Sequence, residues 1–304
     1  MLENILITIA TAATPLLIAA IGELVVERSG VLNLGVEGMM IIGAVIAFAV
    51  ALTTGSPWLG VLCGIGAGIL FSLPFAFLTL SIATNQVATG LSLTLLGIGL
   101  SGMIGESFVG RPGVKLPLIE VPLLSDLPFV GRLLFAQDPI FYLSIGLVAA
   151  VLWFLFRTRA GLTLRAIGDS HGSAHALGVP VIRTRYLAVM FGGACAGLAG
   201  AHLTLVYTSQ WIENMSAGRG WIALALVVFA SWRPLRVLAG AYLFGTVSIG
   251  QLHAQAFGLG IPAQLLSSLP YLATVVVLVV ISGNRRLTMV NTPASLGRAF
   301  VPDR

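Results

Sequence analysis

Apolar runs of about twenty residues recur along the chain, near 5–26, 34–52, 59–81, 87–105, 138–157, 184–206, 219–232, 235–252 and 268–282. A hydrocarbon core about 30 Å thick needs roughly 20 residues of helix, and within it only helices or closed barrels satisfy their own backbone. Barrel strands would alternate in short segments instead. The runs therefore predict an all-α fold, a polytopic transmembrane helix bundle of about nine membrane segments (eight to ten) forming one permeation domain over 1–304. With 57% hydrophobic and 9% charged residues and a mean hydropathy of +1.01, the chain falls outside the range of soluble globular domains.

The net charge of +5 comes almost wholly from arginine, since Lys115 is the one lysine. If segment 158–183 faces the cytoplasm, twelve of the sixteen basic residues fall on that side, leaving only Arg111, Lys115, Arg132 and Arg219 outside. Such a bias marks cytoplasmic loops, so the N-terminus is expected outside and the C-terminus inside. The arginines carry topology and imply no nucleic-acid partner; membrane lipid is the expected surrounding. The first run bears Glu3 and no basic leader, so it reads as a retained span. Cys63 and Cys195 lie in apolar runs and suggest neither a disulfide framework nor a metal site.

Two loops stand out: 106–137, proline-rich and expected to be an extracytoplasmic cap or docking surface, and 158–183, expected to be cytoplasmic. In the second, Asp169 or Ser170 is a good N-cap, Gly178 a natural terminator, and Pro180 forbids continuation. This predicts a helix of about two turns, too short to cross and marginal alone. Ala174, Ala176 and Leu177 form a small apolar side that wants a partner surface or the headgroups.

Small residues at four-residue spacing, Gly192/Ala196/Gly200, Gly193/Gly197/Ala201, Gly97/Ser101/Gly105 and Gly64/Gly68, predict closely packed helices. Polar residues in or beside the spans are few: Glu23, Asn33, Glu37, Gln86, Thr89, His202, Gln251 and His253. Such groups usually face a cavity or a partner. The two histidines are singletons that fit ordinary packing, and Glu213 with Asn214 are most simply solvated. Glu37 is open to two readings, as a first-turn carboxylate in a helix capped by Asn33 or as a group lining a polar cavity. Glycines at 30, 35, 38 and 43 favour a helix interrupted near 27–38, whose free backbone groups border such a cavity. Substrate-path candidates are thus Asn33, Glu37, Gln86 and Glu23.

No HExxH, GxSxG or metal-spaced His/Cys cluster appears, and the single lysine lies in GVKLP, outside any P-loop. The chain is expected to be no enzyme, to bind no cofactor or metal, and to hydrolyse no ATP by itself. Four stretches, GELVVERSGVLNLGVEGMMIIGA (22–44), GLTLRAIGDSHGSAHALGV (161–179), YLAVMFGGACAGLAGA (186–201) and GRGWIALALVVFASWRPLRVLAGAYLFG (218–245), resemble the permease subunits of bacterial ATP-binding cassette importers of the ribose-type (branched-chain/simple-sugar) family. The glutamate-bearing first motif is most similar to the nucleoside branch.

The resemblance implies a coupling helix in 161–179 that docks on a cytoplasmic ABC ATPase, which uses the ATP. Arg165, Ala166, Gly168, Asp169, Ala174 and Gly178 match that motif, whereas His171 and Gly172 depart from it. It also implies a second, non-identical permease, an extracytoplasmic solute-binding lipoprotein and a place in the cytoplasmic (inner) membrane. Alternatives stay open: an ABC permease for a sugar or branched-chain amino acid, or an ion-coupled secondary transporter using Glu23 or Glu37 as a proton site.

Overall fold

A computed structural model describes residues 2–120, 130–256, 262–282 and 291–301. The chain is built from helices α1 (Leu2–Arg28), α2 (Val36–Thr54), α3 (Pro57–Ala76), α4 (Gln86–Gly105), α5 (Val130–Phe135), α6 (Pro139–Arg157), α7 (Arg159–Asp169), α8 (His171–Ala176), α9 (Val181–His202), α10 (Arg219–Phe229), α11 (Pro234–Ala256) and α12 (Ala263–Ser282). Single π turns extend α3 through Ser81 and α9 through Tyr207. The only strands among the described residues, β1 (Ile119–Glu120) and β2 (Ala136–Gln137), pair antiparallel across loop 106–137.

Seven helices among the described residues are long and apolar enough to cross a membrane, α1, α2, α3, α4, α6, α9 and α11. The ninth expected segment, 268–282, lies within the 20-residue α12. The seventh differs from expectation: in place of a 219–232 span there is α10, 11 residues or about 16 Å long. The chain reaches α10 through a non-helical stretch, 208–218, that starts at one end of the bundle, where Trp211 packs on Gly105 and Gly113 N donates to Ser209 O. Beyond α10, Trp232 reaches the other end, where it meets Glu27 and Arg28. A loop and a half-helix together replace a full span.

Helices α2, α3, α4 and α9 meet through their small residues. Gly68 faces Gly193 and Gly197, Gly43 faces Gly197, and Gly200 lies on the Met40 carbonyl. A Cβ placed on Gly97 would stand 2.7 Å from Gly38 Cα, so backbone lies directly against backbone. Helix α1 runs through the middle, packed on α9, α10, α11 and α6, which explains why it is buried nearly all round from Leu16 to Val26. Cys195 packs against Gly22 in this interior, and Cys63 is exposed.

A leucine at Gly197 has no space between α3 and α9. Overpacking should cost at least about 1–3 kcal/mol, seen as a lower thermal unfolding midpoint in detergent. Gly146→Leu on α6, where nothing lies within 4 Å, should leave the midpoint unchanged.

Candidate functional site

Helix α1 stops at Arg28 because Gly30 turns left-handed at φ +86°, and helix resumes only at Val36. Ser29, Gly30 and Val31 still donate to the last turn of α1, but the residues that follow, 32–35, sit inside the bundle off the helical ladder. Buried backbone N–H and C=O groups must find partners or cost about 1–3 kcal/mol each. Polar side chains from α1 and α4, and Asn33 of the segment itself, supply them. Leu32 N donates to Gln86 Oε1 at 2.8 Å, and Asn33 N to Glu23 Oε1 at 3.2 Å. Gly35 N donates to Asn33 Oδ1 at 3.0 Å, and Thr94 Oγ1 donates to Leu34 O at 3.0 Å. Asn33 is therefore not the N-cap of α2: that position is Gly35, and the Asn33 amide closes a turn just ahead of it.

Glu37, in the first turn of α2, is 2% exposed and accepts three hydrogen bonds. Ser216 Oγ donates at 2.6 Å and Gly218 N at 2.8 Å to Oε1, and Gly220 N at 2.6 Å to Oε2. These N–H groups belong to the start of α10, where a helix dipole favours negative charge. Gly218 takes φ +81° to turn into the helix. Gly220 lies so near that a Cβ there would be 2.6 Å from the Glu37 backbone. The carboxylate thus clamps the half-helix to the restart of the broken one.

At the end of the bundle holding α7 and α8, a second set of contacts locks the entry to the break. Trp232 Nε1 donates to Glu27 Oε2 at 2.6 Å, and Arg28 donates to Trp232 O at 2.9 Å and Asn291 O at 3.0 Å. Arg185 Nε donates to Ser29 O at 3.0 Å. Residues 291–301 lie across this end: Ser295 N donates to Gly168 O at 2.8 Å and Gly297 N to Gly30 O at 3.1 Å.

The hairpin itself has two helices where one was expected. Thr158 caps α7 by accepting from Gly161 N at 3.0 Å, and Leu164, Ile167 and Gly168 turn inward. Ser170 caps α8 by accepting from Ser173 N at 3.3 Å, and Gly178 ends the hairpin at φ +79°. Of the motif residues, Gly168 and Ala174 are buried, Ala174 among Ile167, Val181 and Phe300. Ala166, Asp169 and Gly178 are exposed, and the Arg165 guanidinium lies 5.0 Å above the Phe156 ring. Leu177 at the tip is 83% exposed. His171 packs 5.1 Å from the Phe300 ring, and its Nδ1 lies 3.3 Å from Arg185 Nη2.

A family model described as "Branched-chain amino acid transport system / permease component" matches residues 5–282. The chain belongs to this permease family. Similar proteins include the "Putative glucose ABC transporter permease protein TsgC13" of Haloferax volcanii, 44% identical over 88% of each chain. The nucleoside ABC transporter permease protein NupC of Lactococcus lactis is 31% identical over 93% of each chain. The guanosine ABC transporter permease protein NupQ of Bacillus subtilis is 32% identical over 88% of each. No solved structure matches the chain significantly. The permease is thus a multi-pass membrane protein and a transport component.

Asn33, Gln86 and Glu23 converge on one feature of the permease, the break, while Glu37 lies on its far side against α10. Sequence reasoning missed their partners, Thr94 and the 216–220 turn, because two hydroxyls and two backbone N–H groups are brought together from across the fold. It also treated His202 as isolated, yet its Nε2 lies 3.6 Å from Asp138 Oδ2, beside the α6 N-cap. No group of three or more His, Cys, Asp or Glu suited to a metal occurs among the described residues.

Glu37→Ala should destabilise the permease by about 1–3 kcal/mol for each stranded donor, and Glu37→Gln by less, since one oxygen remains; Ser216→Ala removes a single bond and should cost least. Thermal midpoints will rank them. Partial burial, then the charges of Arg185 and Arg298, hold the His171 imidazole below its ordinary range. A lowered histidine favours the neutral form when folded, so its contribution is present above about pH 6.5 and is lost as pH falls through the folded value. Amide exchange at 168–176 and 295–300, measured relative to the intrinsic rate at each pH, should lose protection on acidification, and His171→Gln should flatten that dependence.

Proposed function

We propose that the permease is one membrane subunit of an ATP-binding cassette importer that carries nucleosides. The observation that carries this reading is the likeness, over about nine-tenths of the chain, to two permeases named for nucleosides and guanosine. A second reading, a hexose as cargo, is favoured by the 44% identical relative named for glucose.

In this proposal the hairpin of α7 and α8 docks on a cytoplasmic ATPase subunit, which binds and hydrolyses the ATP. Gly168 and Ala174 shape the hairpin, Arg165 braces it on Phe156, and Ala166, Asp169, Gly178 and the exposed Leu177 present its outer face. A docked partner would cover the exposed Leu177 at the tip of the hairpin. The hairpin end faces the cytoplasm, with the N-terminus outside and the C-terminus inside. The arginine bias and the packing of 291–301 against the hairpin both favour that orientation. Loop 106–137 then meets an extracytoplasmic solute-binding lipoprotein, and a second, non-identical permease completes the path. Asn33, Glu37, Gln86 and Glu23 frame the path by fixing the broken segment and α10 beside it.

ATP-driven movement at α8 passes into α7, and from Gly168 directly to the Arg28 carbonyl at the start of the break. Leu177→Asp and Asp169→Trp should therefore abolish nucleoside uptake while the permease stays in the membrane. Uptake at the wild-type rate in both would defeat the docking role. A cysteine at position 178 should react with an impermeant thiol reagent only in inverted vesicles, and reaction in intact cells would reverse the topology.

A further inference from the structure

A cavity of about 250 Å³ opens between α1, α10, α11 and the end of α9. It has room for several waters. Most of its wall is apolar, as Ala12 and Leu16 of α1 show, but four polar side chains face it: Tyr207, Arg219, Ser248 and Gln251. Ser248 and Gln251 share one face of α11 by their three-residue spacing. Arg219 opens α10, whose 11 residues place it about 16 Å from the hairpin end, close to half the thickness of a bilayer core. Ionised residues at that depth are costly and mark solute pathways.

The hydrogen-bonding ledger of these groups is incomplete. Arg219 Nη1 donates to Met215 O at 3.0 Å and Ser216 O at 3.4 Å, and its guanidinium lies 5.2 Å from the Tyr207 ring. No carboxylate stands within 4.0 Å of it among the described residues. The Gln251 Oε1 atom is buried and meets no donor there. The chain enters the site through left-handed residues, Asn214 at φ +54° and Ala217 at φ +46°, conformations that non-glycine residues adopt at a cost of about 1–3 kcal/mol and that cluster at functional sites.

We infer that this cavity is the solute-selecting station of the permease and takes a neutral, hydroxyl-rich ring, the pentose or hexose part of the cargo. Arg219 has spare donors and wants oxygen acceptors, which a ring hydroxyl offers, and Gln251 adds an amide to the same wall. Ser248 and Tyr207 hydroxyls pair in either sense. An unneutralised guanidinium repels cationic solutes, and the aliphatic wall covers the ring faces. The inference rests on the importer reading but does not depend on which hydroxylated solute is carried.

The test uses the transporter assembled with its ATPase, partner permease and binding protein in proteoliposomes. Ser248→Cys, in a Cys63→Ser, Cys195→Ala background, is labelled with a small thiol reagent, with and without uridine, guanosine, ribose, glucose or leucine. The carried hydroxylated solute should slow labelling several-fold, and leucine should not. Gln251→Leu and Arg219→Met should lower maximal uptake ten-fold or more, with Arg219→Lys retaining more, while co-purification of the subunits checks folding. Unprotected Ser248→Cys together with wild-type uptake in both variants overturns the assignment, as does transport confined to leucine. If glucose is carried and protects, the nucleoside reading fails and the station stands.

Discussion

Residues 29–35 leave the helical ladder inside the bundle, and the surrounding structure is arranged to answer the backbone groups that this frees. Glu23 and Gln86 accept from consecutive N–H groups, Asn33 caps its own turn, and Thr94 satisfies a carbonyl. In a hydrocarbon medium each unmet group would cost several kcal/mol. This explains why a chain with 9% charged residues keeps Glu23, Asn33 and Gln86 in its interior. Their chemistry is spent on backbone, which fixes one geometry for the break.

The same logic governs α10. A half-helix begins with free N–H groups and a positive dipole end, and inside a membrane those need a fixed acceptor. Glu37 provides it from the first turn of α2, so the two interrupted elements cap one another. The close approach depends on Gly220, because a side chain there would strike the Glu37 backbone. With the α10 terminus tied through Gly218 and Gly220, the residue between them, Arg219, is left at the wall of the cavity between α1 and α11.

Movement at the hairpin has a short route to this region. Gly168 touches the Arg28 carbonyl, Arg28 holds Trp232, and Trp232 lies three residues beyond the end of α10. Glycine contacts between α2, α3, α4 and α9 make the rest of the bundle a close-packed body, and such bodies move as units more readily than they deform. The segment 291–301 adds a strap, with Phe300 wedged against His171 and His175.

The all-α bundle, the small-residue ridges, the break near Gly30 and the capped turn ending at Gly178 were legible in the sequence, because each follows from local rules: apolar length, four-residue spacing, glycine φ and N-cap chemistry. The sequence also marked Glu23, Asn33, Glu37 and Gln86 as costly and hence purposeful. What those groups bind was decided only in three dimensions, since their partners are mostly backbone atoms, up to 183 positions away, that carry no side-chain signature. Likewise, α10 reads as one more apolar run in the linear chain. Its role as a half-helix comes from Glu37 and Gly218 fixing where it starts, and no local pattern records that meeting.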